Sequence, residues 1–382
     1  MPKKARRGRG EGGIYQRPDG LWVGQVSLGY DAEGKRIRRS VYGKTKREVQ
    51  QKILQLQQDV LNGLPVKQEK LTIDQHFQDW FKVKKAVLRE TTLDGYQRLY
   101  NKHIKPVFGG LQVKAVDYRR INAFYELLDE KGLSKRTVAY VAFLLKSGLE
   151  DAVRKGIIPA NPAKLAAKRG QDKKEARFLN QDELRRFLDA ATGERLEDAY
   201  ILALHTGLRP GEWLGLSWDA VDWEGKKITV KQALKELNGK VFIGEVKTNA
   251  GRRTITLPPA AYAALKRQRK RQLEDQLAAG EEWNNEFNLV FTTRAGKPLR
   301  RTGIEKREWR RVLRRAGLEG VTFHTLRHTH ASILIFQGVD IKTISRRLGH
   351  ENVAFTLQVY GHLLPGQDER AAAEVDTFFK TL

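Results

Sequence analysis

The chain contains no cysteine and no long apolar run. Without thiols it forms neither disulfides nor thiolate metal sites, which fits a cytosolic protein. No stretch approaches the ~18 apolar residues needed to cross a bilayer. The basic start, Met1–Lys4, is not followed by an apolar segment, so we expect no secretory signal. These absences argue against a secreted or membrane-spanning protein.

Basic residues are in large excess. The 71 Lys and Arg residues outnumber the 45 Asp and Glu residues, giving a formal net charge of +26 at pH 7. A charge of this size repels itself in the compact state and needs an anionic partner. Nucleic acid fits best, because the basic residues run through the whole chain, and a membrane surface fits less well. The length of 382 residues and the hydrophobic fraction of 40% predict two or three folded domains.

The N-terminal segment is predicted to form a small sheet with one helix. Turn signals at Pro18–Gly20 and Asp31–Gly34 separate short strands within residues 13–44. Thr45 and Glu48 have the spacing of a capping box, which predicts that a helix follows. A β-ribbon fits the major groove of DNA, so we favour DNA binding over a structural cap with solvated charges. The basic residues ahead of the strands form either a solubilising tail or an arm lying along phosphates.

Residues 71–162 are predicted to be helical. Apolar residues recur at helical spacing in four segments, with breaks expected at Pro106 and at Gly109–Gly110. Linkers are expected on either side, at residues 64–70 and 163–177. The helical segment holds no candidate acid–base cluster. Five lysines line either a DNA-facing side or an ordinary solvated face: Lys82, Lys84, Lys85, Lys102 and Lys105.

Residues 178–382 are predicted to form a third, mixed domain. Asn180 and Glu183 have capping-box spacing and begin its first helices. Short strands are expected next, and helices are expected to resume at Pro259–Leu277 and continue to the end. The three strands are placed at residues 226–233, 241–246 and 252–257, with Lys247–Gly251 as the turn joining the last two.

Five short motifs in this third domain carry residues suited to phosphate chemistry. They are Thr206–Glu212 with Arg209, then Lys247, His324–His328 with Arg327, Leu348–His350, and Tyr360. Arginine grips two phosphate oxygens at once, histidine moves a proton near neutral pH, and a tyrosine hydroxyl can act as a covalent nucleophile. No single motif is specific, because tyrosines near a C-terminus are mostly packing residues and turn lysines are common.

Taken together, the motifs occur in the order and spacing of the tyrosine recombinases, or phage-type integrases. The chain resembles this family over essentially its whole length. Gly349 and His350 with Thr356, Tyr360 and His362 also resemble the family's C-terminal signature. Each motif alone is weak, but five in order inside a basic chain of suitable length are specific.

The resemblance implies a multidomain α+β fold. Residues 1–63 would be an arm-type DNA-binding domain with a basic tail, three strands and one helix, as in integrases of temperate phages and conjugative transposons. Residues 71–162 would be an all-helical core-binding domain. Residues 178–382 would be the catalytic domain, mainly helical with a small three-stranded antiparallel sheet. The last two domains would close around duplex DNA.

The resemblance also implies a role for each matching residue. Arg209 and Arg327 would clamp the two non-bridging oxygens of a DNA phosphodiester, where negative charge builds during attack. Tyr360 would be the nucleophile and become a 3′-phosphotyrosine. Lys247 would be the general acid for the leaving 5′ oxygen. His324 would assist proton movement and His350 would hydrogen-bond the phosphate. The family needs no metal and no cofactor such as ATP.

The implied function is site-specific DNA recombination by the integrase of a mobile element such as a prophage. The implied partners are double-stranded DNA at core-type and arm-type attachment sites, three further copies in a homotetramer on DNA, a DNA-bending host protein and an excisionase, with no membrane. The implied location is the cytoplasm of a bacterial host cell, at the nucleoid. The C-terminal segment Val375–Phe379 would dock on a neighbouring protomer or, alternatively, on its own domain.

Several alternatives stay open at the level of sequence. Arg209 could cap the preceding helix, and Lys247 could be an exposed turn lysine. Three histidines, His324, His328 and His330, could suggest zinc, although no cysteine or nearby carboxylate pair supports it. We expect His328, His330 and His362 to be structural or to act behind the site, and Glu212 to orient Arg209. The rival functions are a type IB topoisomerase-like enzyme and a non-catalytic DNA-binding regulator on the same scaffold.

Overall fold

The computed structural model describes residues 13–30, 36–61, 71–167, 169–170, 175–237, 239–246, 249–363 and 367–380. The chain divides into two compact units, Met1–Lys173 and Lys174–Leu382. The expectations for the basic tail at residues 1–10, for the linker at 64–70 and for Lys247 lie outside the described residues. Among the helices that are described, none has the length and apolar character to cross a membrane.

The first unit begins with the expected small sheet and helix. Strands β1 (Gly13–Gln16), β2 (Trp22–Tyr30) and β3 (Arg36–Gly43) form an antiparallel sheet in that order. Helix α1 (Lys46–Leu61) covers one face of the sheet, and a small core forms where it meets β2. The helix starts with half a capping box: the Glu48 amide donates to Thr45 Oγ1 at 3.2 Å, but the Glu48 carboxylate accepts from the amide of Lys44.

The rest of the first unit is the expected helical bundle, built around a buried aromatic core. Its helices are α2 (Ile73–Lys85), α3 (Glu90–Leu99), α4 (Lys105–Phe108), α5 (Tyr118–Glu130) and α6 (Lys135–Arg154). In this core Phe77 stacks on Tyr100 with ring centroids 4.6 Å apart. The packed core also includes Ala163 and Ala166, so the beginning of the expected linker at 163–177 belongs to the bundle.

The break expected at Pro106 is wrong. Helical backbone continues from α3 through a π-helical turn, Tyr100–Ile104, into α4. The amide of Lys105 donates to the carbonyl of Tyr100, five residues back. Pro106 thereby falls in the first turn of a new helical segment, where its missing N–H is tolerated. The expected break at Gly109–Gly110 is correct, because α4 ends at Phe108.

The second unit is mainly helical, as expected, and its helices surround a large core. Trp213, Tyr200, Trp309 and Phe323 form an aromatic cluster at its centre. The helices are α7 (Gln181–Ala191), α8 (Glu197–Thr206), α9 (Pro210–Leu214), α10 (Pro259–Ala279), α11 (Arg301–Ile304), α12 (Arg310–Ala316), α13 (Phe323–Phe336), α14 (Ile341–Leu348), α15 (Val353–Tyr360) and α16 (Gln367–Phe379). Asn180 and Glu183 form the predicted capping box of α7.

Helices do not continue without interruption after α10. The stretch between α10 and α11 contains extended backbone, with single antiparallel bridges pairing Ser217 with Leu289 and Thr292 with Pro298. Leu289 and Phe291 are buried there against the aromatic core. Short extended pieces of this kind give too little periodic signal to be recognised in the sequence.

The second unit contains a three-stranded antiparallel sheet, but its strands pair differently from the prediction. The order is β4 (Val221–Asp222), β5 (Lys227–Val230), β8 (Arg253–Thr256), and a separate hairpin consists of β6 (Gln232–Leu237) and β7 (Lys240–Glu245). The segment predicted as one strand at 226–233 therefore spans two strands in different sheets.

The turn assigned to Lys247–Gly251 is also wrong as a hairpin turn. It leads from β7 in one sheet to β8 in another, and its described end is a short 3₁₀ turn at Asn249–Gly251. The true hairpin pairs Leu237 with Lys240. Its two connecting residues in the sequence are Asn-Gly, the strongest short-range hairpin signal, which the prediction overlooked.

Candidate active site

Helix α13 presents three of the expected polar residues on one face. His324, Arg327 and His328 follow each other at spacings of three and one, so all three project within one helical turn. Arg327 is 3% exposed. Its two terminal nitrogens donate to the carbonyls of Gly207 and Leu348, each at 2.7 Å. A guanidinium has five N–H donors, so about three remain for a ligand.

Those carbonyls lie where two helices end in glycine. Gly207 and Gly349 follow α8 and α14, and both have φ of +67°. A Cβ at Gly207 would lie 2.7 Å from the His330 ring. A Cβ at Gly349 would lie 2.9 Å from both the Ala250 carbonyl and Arg253 Nη1. Glycine is therefore required for conformation and for space, and the two helix C-termini bring partial negative charge to the arginines.

Arg209 joins the same cluster from the start of α9. Its Nη1 donates to Glu212 Oε1 at 2.8 Å and its Nη2 donates to the Gly349 carbonyl at 3.1 Å. The Glu212 carboxylate also accepts from the backbone amide of Arg209 at 2.9 Å. The side chain thus reaches the end of α14, and no contact with the preceding helix α8 is found among its described hydrogen bonds. Glu212 holds Arg209 in place, as expected from the sequence.

Arg253 is a member of the site that the sequence reading missed. Its Nη2 donates to Glu212 Oε2 at 2.8 Å, its Nε to the Arg347 carbonyl at 2.7 Å and its Nη1 to the Gly251 carbonyl at 3.1 Å. It links strand β8 to α14 and to the segment that follows Lys247. The sequence held a signal for it. Arg253 and Ile255 are two residues apart in β8, so both lie on its buried face, where an arginine needs a partner.

Glu212 is the acidic centre of this cluster. It is 4% exposed, and burial alone would raise the pKa of its carboxyl group. Hydrogen bonds and the charge of Arg253, followed by the charge of Arg209, lower that pKa to about 2. Arg327 has no comparable partner: within the described residues it forms no ion pair. Burial and the charge of Arg209 lower the pKa of Arg327 to about 9, so it stays charged at neutral pH.

Tyr360 brings its hydroxyl to the same site at the end of α15. Its side chain is 1% exposed. Burial raises the pKa of the phenol to about 12, against the charges of Arg327 and Arg209, which act in the opposite direction. The hydroxyl lies 2.7 Å from Nδ1 of His328. The tyrosine and both arginines therefore belong to one site within a single chain.

His350 is held beside this tyrosine by Thr356. Nδ1 of His350 lies 2.8 Å from Thr356 Oγ1, and Thr356 is fully buried one helical turn before Tyr360. Burial, then Arg327 and Arg209, lower the pKa of His350 to about 3. Burial also lowers the pKa of His324, with Arg301 and Arg327 as further causes. Both imidazoles are neutral at physiological pH.

The other three histidines of the C-terminal motifs, His328, His330 and His362, have different surroundings. His330 is structural, because its Nδ1 lies 2.8 Å from the Leu204 carbonyl and its Nε2 accepts from Arg347. His362 is exposed. His328 was grouped with them from the sequence, and its direct contact with the Tyr360 hydroxyl was not foreseen. Within the described residues no set of three or more His, Asp or Glu side chains is placed to hold a metal ion.

The structure thus brings together five of the six predicted site residues, Arg209, Arg327, His324, His350 and Tyr360. Lys247 lies outside the described residues. The residues that flank it are described: Val246 is buried in the main core, and the Gly251 carbonyl accepts from Arg253. The chain after the lysine therefore reaches the arginine cluster at Gly251.

Comparison with known proteins identifies the family of this chain. The chain matches the phage integrase family over residues 177–366 and the N-terminal SAM-like domain of phage integrases over residues 72–128. It is 32% identical over 373 residues to a tyrosine recombinase XerC-like protein of Caldanaerobacter subterraneus subsp. tengcongensis, covering 93% of this chain and 95% of that protein.

Solved structures share the fold. An integrase of the Tn1549 transposon, in complex with a circular intermediate DNA, has a TM-score of 0.69 at 22% identity, covering 81% of this chain and 99% of that one. A lambda integrase, in a tetramer bound to a Holliday junction, has a TM-score of 0.58 at 17% identity, covering 93% of this chain and 96% of that one.

These matches define an enzyme that breaks and rejoins DNA. The chain belongs to the phage integrase family, whose members are tyrosine recombinases. It functions as a site-specific recombinase. The multidomain α+β fold expected from the sequence is confirmed.

Proposed function

We propose that Tyr360 attacks a DNA phosphodiester and holds the cut strand as a 3′-phosphotyrosine. The observation that carries the proposal is the buried Tyr360 hydroxyl, which lies close enough to Arg327 and Arg209 for their charges to lower its pKa. A tyrosine placed only for packing would have no reason to share a pocket with a buried guanidinium that forms no ion pair with any described residue. An anionic phosphate would supply that counter-ion.

Arg209 and Arg327 would bind the two non-bridging oxygens. Both guanidinium groups are fixed in advance by carbonyls at the ends of α8 and α14. Such preorganised donors stabilise charge that develops in the transition state, and losing one typically costs about 3–4 kcal/mol. His350, neutral and fixed by Thr356, would donate from Nε2 to the same phosphate. His324 would assist proton movement.

Lys247 would protonate the leaving 5′ oxygen. Support comes from its place in the sequence, four residues before Gly251, whose carbonyl accepts a hydrogen bond from Arg253 of the cluster. The phosphotyrosine keeps the energy of the broken bond, so a 5′ hydroxyl of a second DNA strand can reverse the step. On this mechanism the reaction requires no ATP.

The outer face of the N-terminal sheet would be the arm-type DNA-binding surface. On this face Tyr15 and Tyr42 flank Val23 in one cross-strand row, and both tyrosines are about half exposed. Gln25 and Arg38 lie on the same face by strand alternation. Polar groups on the sheet face opposite α1 suit base edges in a major groove. The helical bundle would contact the core-type site, with its exposed lysines on phosphates.

Four protomers would assemble on two DNA sites, as the lambda integrase does on a Holliday junction. Helix α16 supports assembly, since Val375, Phe378 and Phe379 are each more than half exposed. Exposed apolar side chains on a terminal helix favour docking on a neighbouring protomer over docking on their own domain. The likeness to a transposon integrase supports a role in moving a mobile element. A DNA-bending host protein and an excisionase would be further partners.

The test is covalent trapping on nicked DNA. Sites would first be recovered by selecting fragments bound by the full-length protein from random DNA. On a duplex nicked beside the cleavage point, the wild type is expected to accumulate covalent protein–DNA, and Tyr360→Phe none. Tyr262→Phe, a change of the same size away from the site, should behave as wild type. Intact cleavage by Tyr360→Phe would overturn the assignment of the nucleophile.

A second readout separates recombination from DNA relaxation. Two duplexes with matching sites should yield crossover products with the wild type. Covalent trapping together with relaxation of supercoiled DNA, but without crossover products, would favour a topoisomerase-like activity. DNA binding without any covalent product would favour a non-catalytic regulator.

A further inference from the structure

The Tyr360 phenol must lose its proton to become an effective nucleophile. Its pKa is raised by burial to about 12. At neutral pH only about one molecule in 10⁵ would therefore carry a phenolate, since each pH unit is a factor of ten. Spontaneous ionisation is a poor source of nucleophile at that population. A general base in contact with the hydroxyl would remove the limitation.

His328 is in that position. Its Nδ1 lies 2.7 Å from the Tyr360 hydroxyl, and the two rings are 5.7 Å apart at an interplanar angle of 60°. His328 is part of α13, next to Arg327, and its backbone is fixed within that helix. The contact joins α13 to α15, so it depends on the packing of the two helices.

The ring is in the protonation state that a base requires. Burial lowers the pKa of His328 to about 4, with the neighbouring His324 and Arg327 as further causes. A neutral imidazole has one acceptor nitrogen, and the tautomer with its proton on Nε2 leaves Nδ1 free to accept from the phenol. Proton transfer over a hydrogen bond of this length needs no further movement of either side chain.

The other basic groups of the described site are occupied or too acidic. Nδ1 of His350 is engaged by Thr356 Oγ1. Glu212 is hydrogen-bonded to Arg253 and Arg209, and its pKa is lowered to about 2. Within the described part of the chain, no hydrogen bond joins His324 to Tyr360. His328 is left as the group in contact with the reacting oxygen.

We propose that His328 is a catalytic residue, the general base that takes the proton from Tyr360 as its oxygen attacks phosphorus. In this step the phenolic O–H bond breaks and the proton moves to Nδ1 of His328. A bond forms between the phenolic oxygen and phosphorus, and the bond from phosphorus to the 5′ oxygen breaks, with that oxygen protonated by Lys247. In the reverse step, His328 returns its proton to the departing phenol.

The inference rests on the proposed role of Tyr360 and refines it. The charges around His328, together with those of bound DNA, determine how a histidine with so low a pKa can act as a base. The groups that face His328 are His324 and Arg327 on its own helix, Tyr360 from α15 and His350 from the turn after α14. The bound phosphate adds negative charge beside them, which offsets the arginine and raises the affinity of the imidazole for a proton.

The experiment measures single-turnover covalent complex formation by the full-length protein on the nicked duplex, between pH 5 and 9. Variants are His328→Asn, whose amide keeps a hydrogen-bonding group but cannot take the proton, and His328→Phe. Tyr262→Phe, away from the site, is the control. Melting temperature and DNA affinity by mobility shift show whether each variant is folded and binds.

We expect both His328 variants to bind DNA normally and to cleave about 10²–10⁴-fold more slowly at pH 7, as for loss of a general base. Their rates should rise about tenfold per pH unit towards pH 9, because hydroxide supplies the missing proton acceptor, while the wild-type rate changes little. Replacing the 5′ bridging oxygen by sulfur removes the need for a general acid, so it should rescue Lys247→Ala but not His328→Asn.

Two results would overturn the proposal. The first is cleavage by a normally binding His328→Asn within threefold of wild type at pH 7. The second is a rate deficit that is equal at pH 7 and pH 9, which would mean that His328 only positions the ring of Tyr360. If His328→Asn is poorly folded, the same criteria apply to His328→Phe. Failure of the proposed function is distinct, because Tyr360→Phe would then still form the covalent complex.

Discussion

Glu212 is expected to hold the arginine cluster together, and its replacement by glutamine tests the charge argument. The carboxylate is 4% exposed and accepts hydrogen bonds from Arg253 and Arg209. Burial opposes ionisation, yet Arg253 and then Arg209 lower the pKa from 4.5 to about 2. Such a lowering corresponds to about 3 kcal/mol of the free energy of unfolding, at ~1.4 kcal/mol for each pH unit.

The sign of the pH dependence follows from that direction. The pKa of Glu212 is lower in the folded state, so the unfolded state binds more protons in acid. The stabilisation is complete above about pH 4.5 and is lost as the pH falls towards 2. Glu212→Gln keeps the shape but removes the charge and leaves Arg253 buried without a counter-ion. We expect a loss of about 3–5 kcal/mol at neutral pH and a much smaller one near pH 2.

The assay is hydrogen exchange of peptides from β8 and α14, because β8 contains Arg253 and the Arg347 carbonyl of α14 accepts a hydrogen bond from it. Exchange reports the free energy of opening locally, which suits a chain with more than one unit. Glu183→Gln is the control: its carboxylate also pairs with an arginine, Arg177, but in a more exposed position, so a smaller loss is expected. If the wild type and Glu212→Gln differed equally at pH 3 and pH 7, the charge would not be what stabilises the cluster.

Three further substitutions probe the geometry of the site. Gly349→Ala should lower the melting temperature and cleavage, because its Cβ would lie 2.9 Å from the Ala250 carbonyl at a φ of +67°; the strain is about 1–3 kcal/mol, and unchanged melting would contradict this packing. Thr356→Val removes the 2.8 Å partner of His350. The activation free energy of single-turnover cleavage should rise by about 1–3 kcal/mol while DNA affinity is retained. An unchanged rate would count against the role of His350. Arg327→Lys keeps the charge but loses the two 2.7 Å carbonyl contacts. Single-turnover cleavage should fall by about 10²–10³, whereas full activity would rule out the clamp.

Local signals in the sequence predicted local structure well. The capping box of Asn180 and Glu183 is present at the start of α7, and the apolar spacing of the bundle matches its helices. The site motifs were recognisable because their order is specific, although each is weak alone. Such signals are read within one element and do not depend on how elements pack.

The misses share a physical cause, which is that they depend on contacts between distant segments. Strand β5 pairs with β8 and not with its neighbour β6, and nothing in their alternation specifies the partner. The contact of His328 with Tyr360 joins residues on separate helices. Spacing along α13 places His328 beside Arg327, but only the packing of α15 shows which histidine meets the hydroxyl.

The charges of the site are better matched to the transition state than to the bound substrate. Arg209, Arg253 and Arg327 surround one carboxylate, Glu212, so two positive charges are left unbalanced among these groups. A phosphodiester carries one negative charge, and attack by a deprotonated phenol adds a second at phosphorus. Positive charge that is fully balanced only during attack lowers the barrier. Equal binding of the substrate and the transition state would not lower it.

Neutral histidines are necessary for that difference. If His324 and His350 were charged, the site would already bind the ground-state phosphate strongly, and less of the interaction would be specific to the transition state. Burial and the arginines keep both imidazoles neutral by lowering their pKa values. The same effect keeps His328 free to accept the phenolic proton, which then places a new cation beside the charge that develops on phosphorus. On the proposed mechanism the arginines would therefore act twice, by binding the phosphate and by setting the protonation state of the groups that move protons around it.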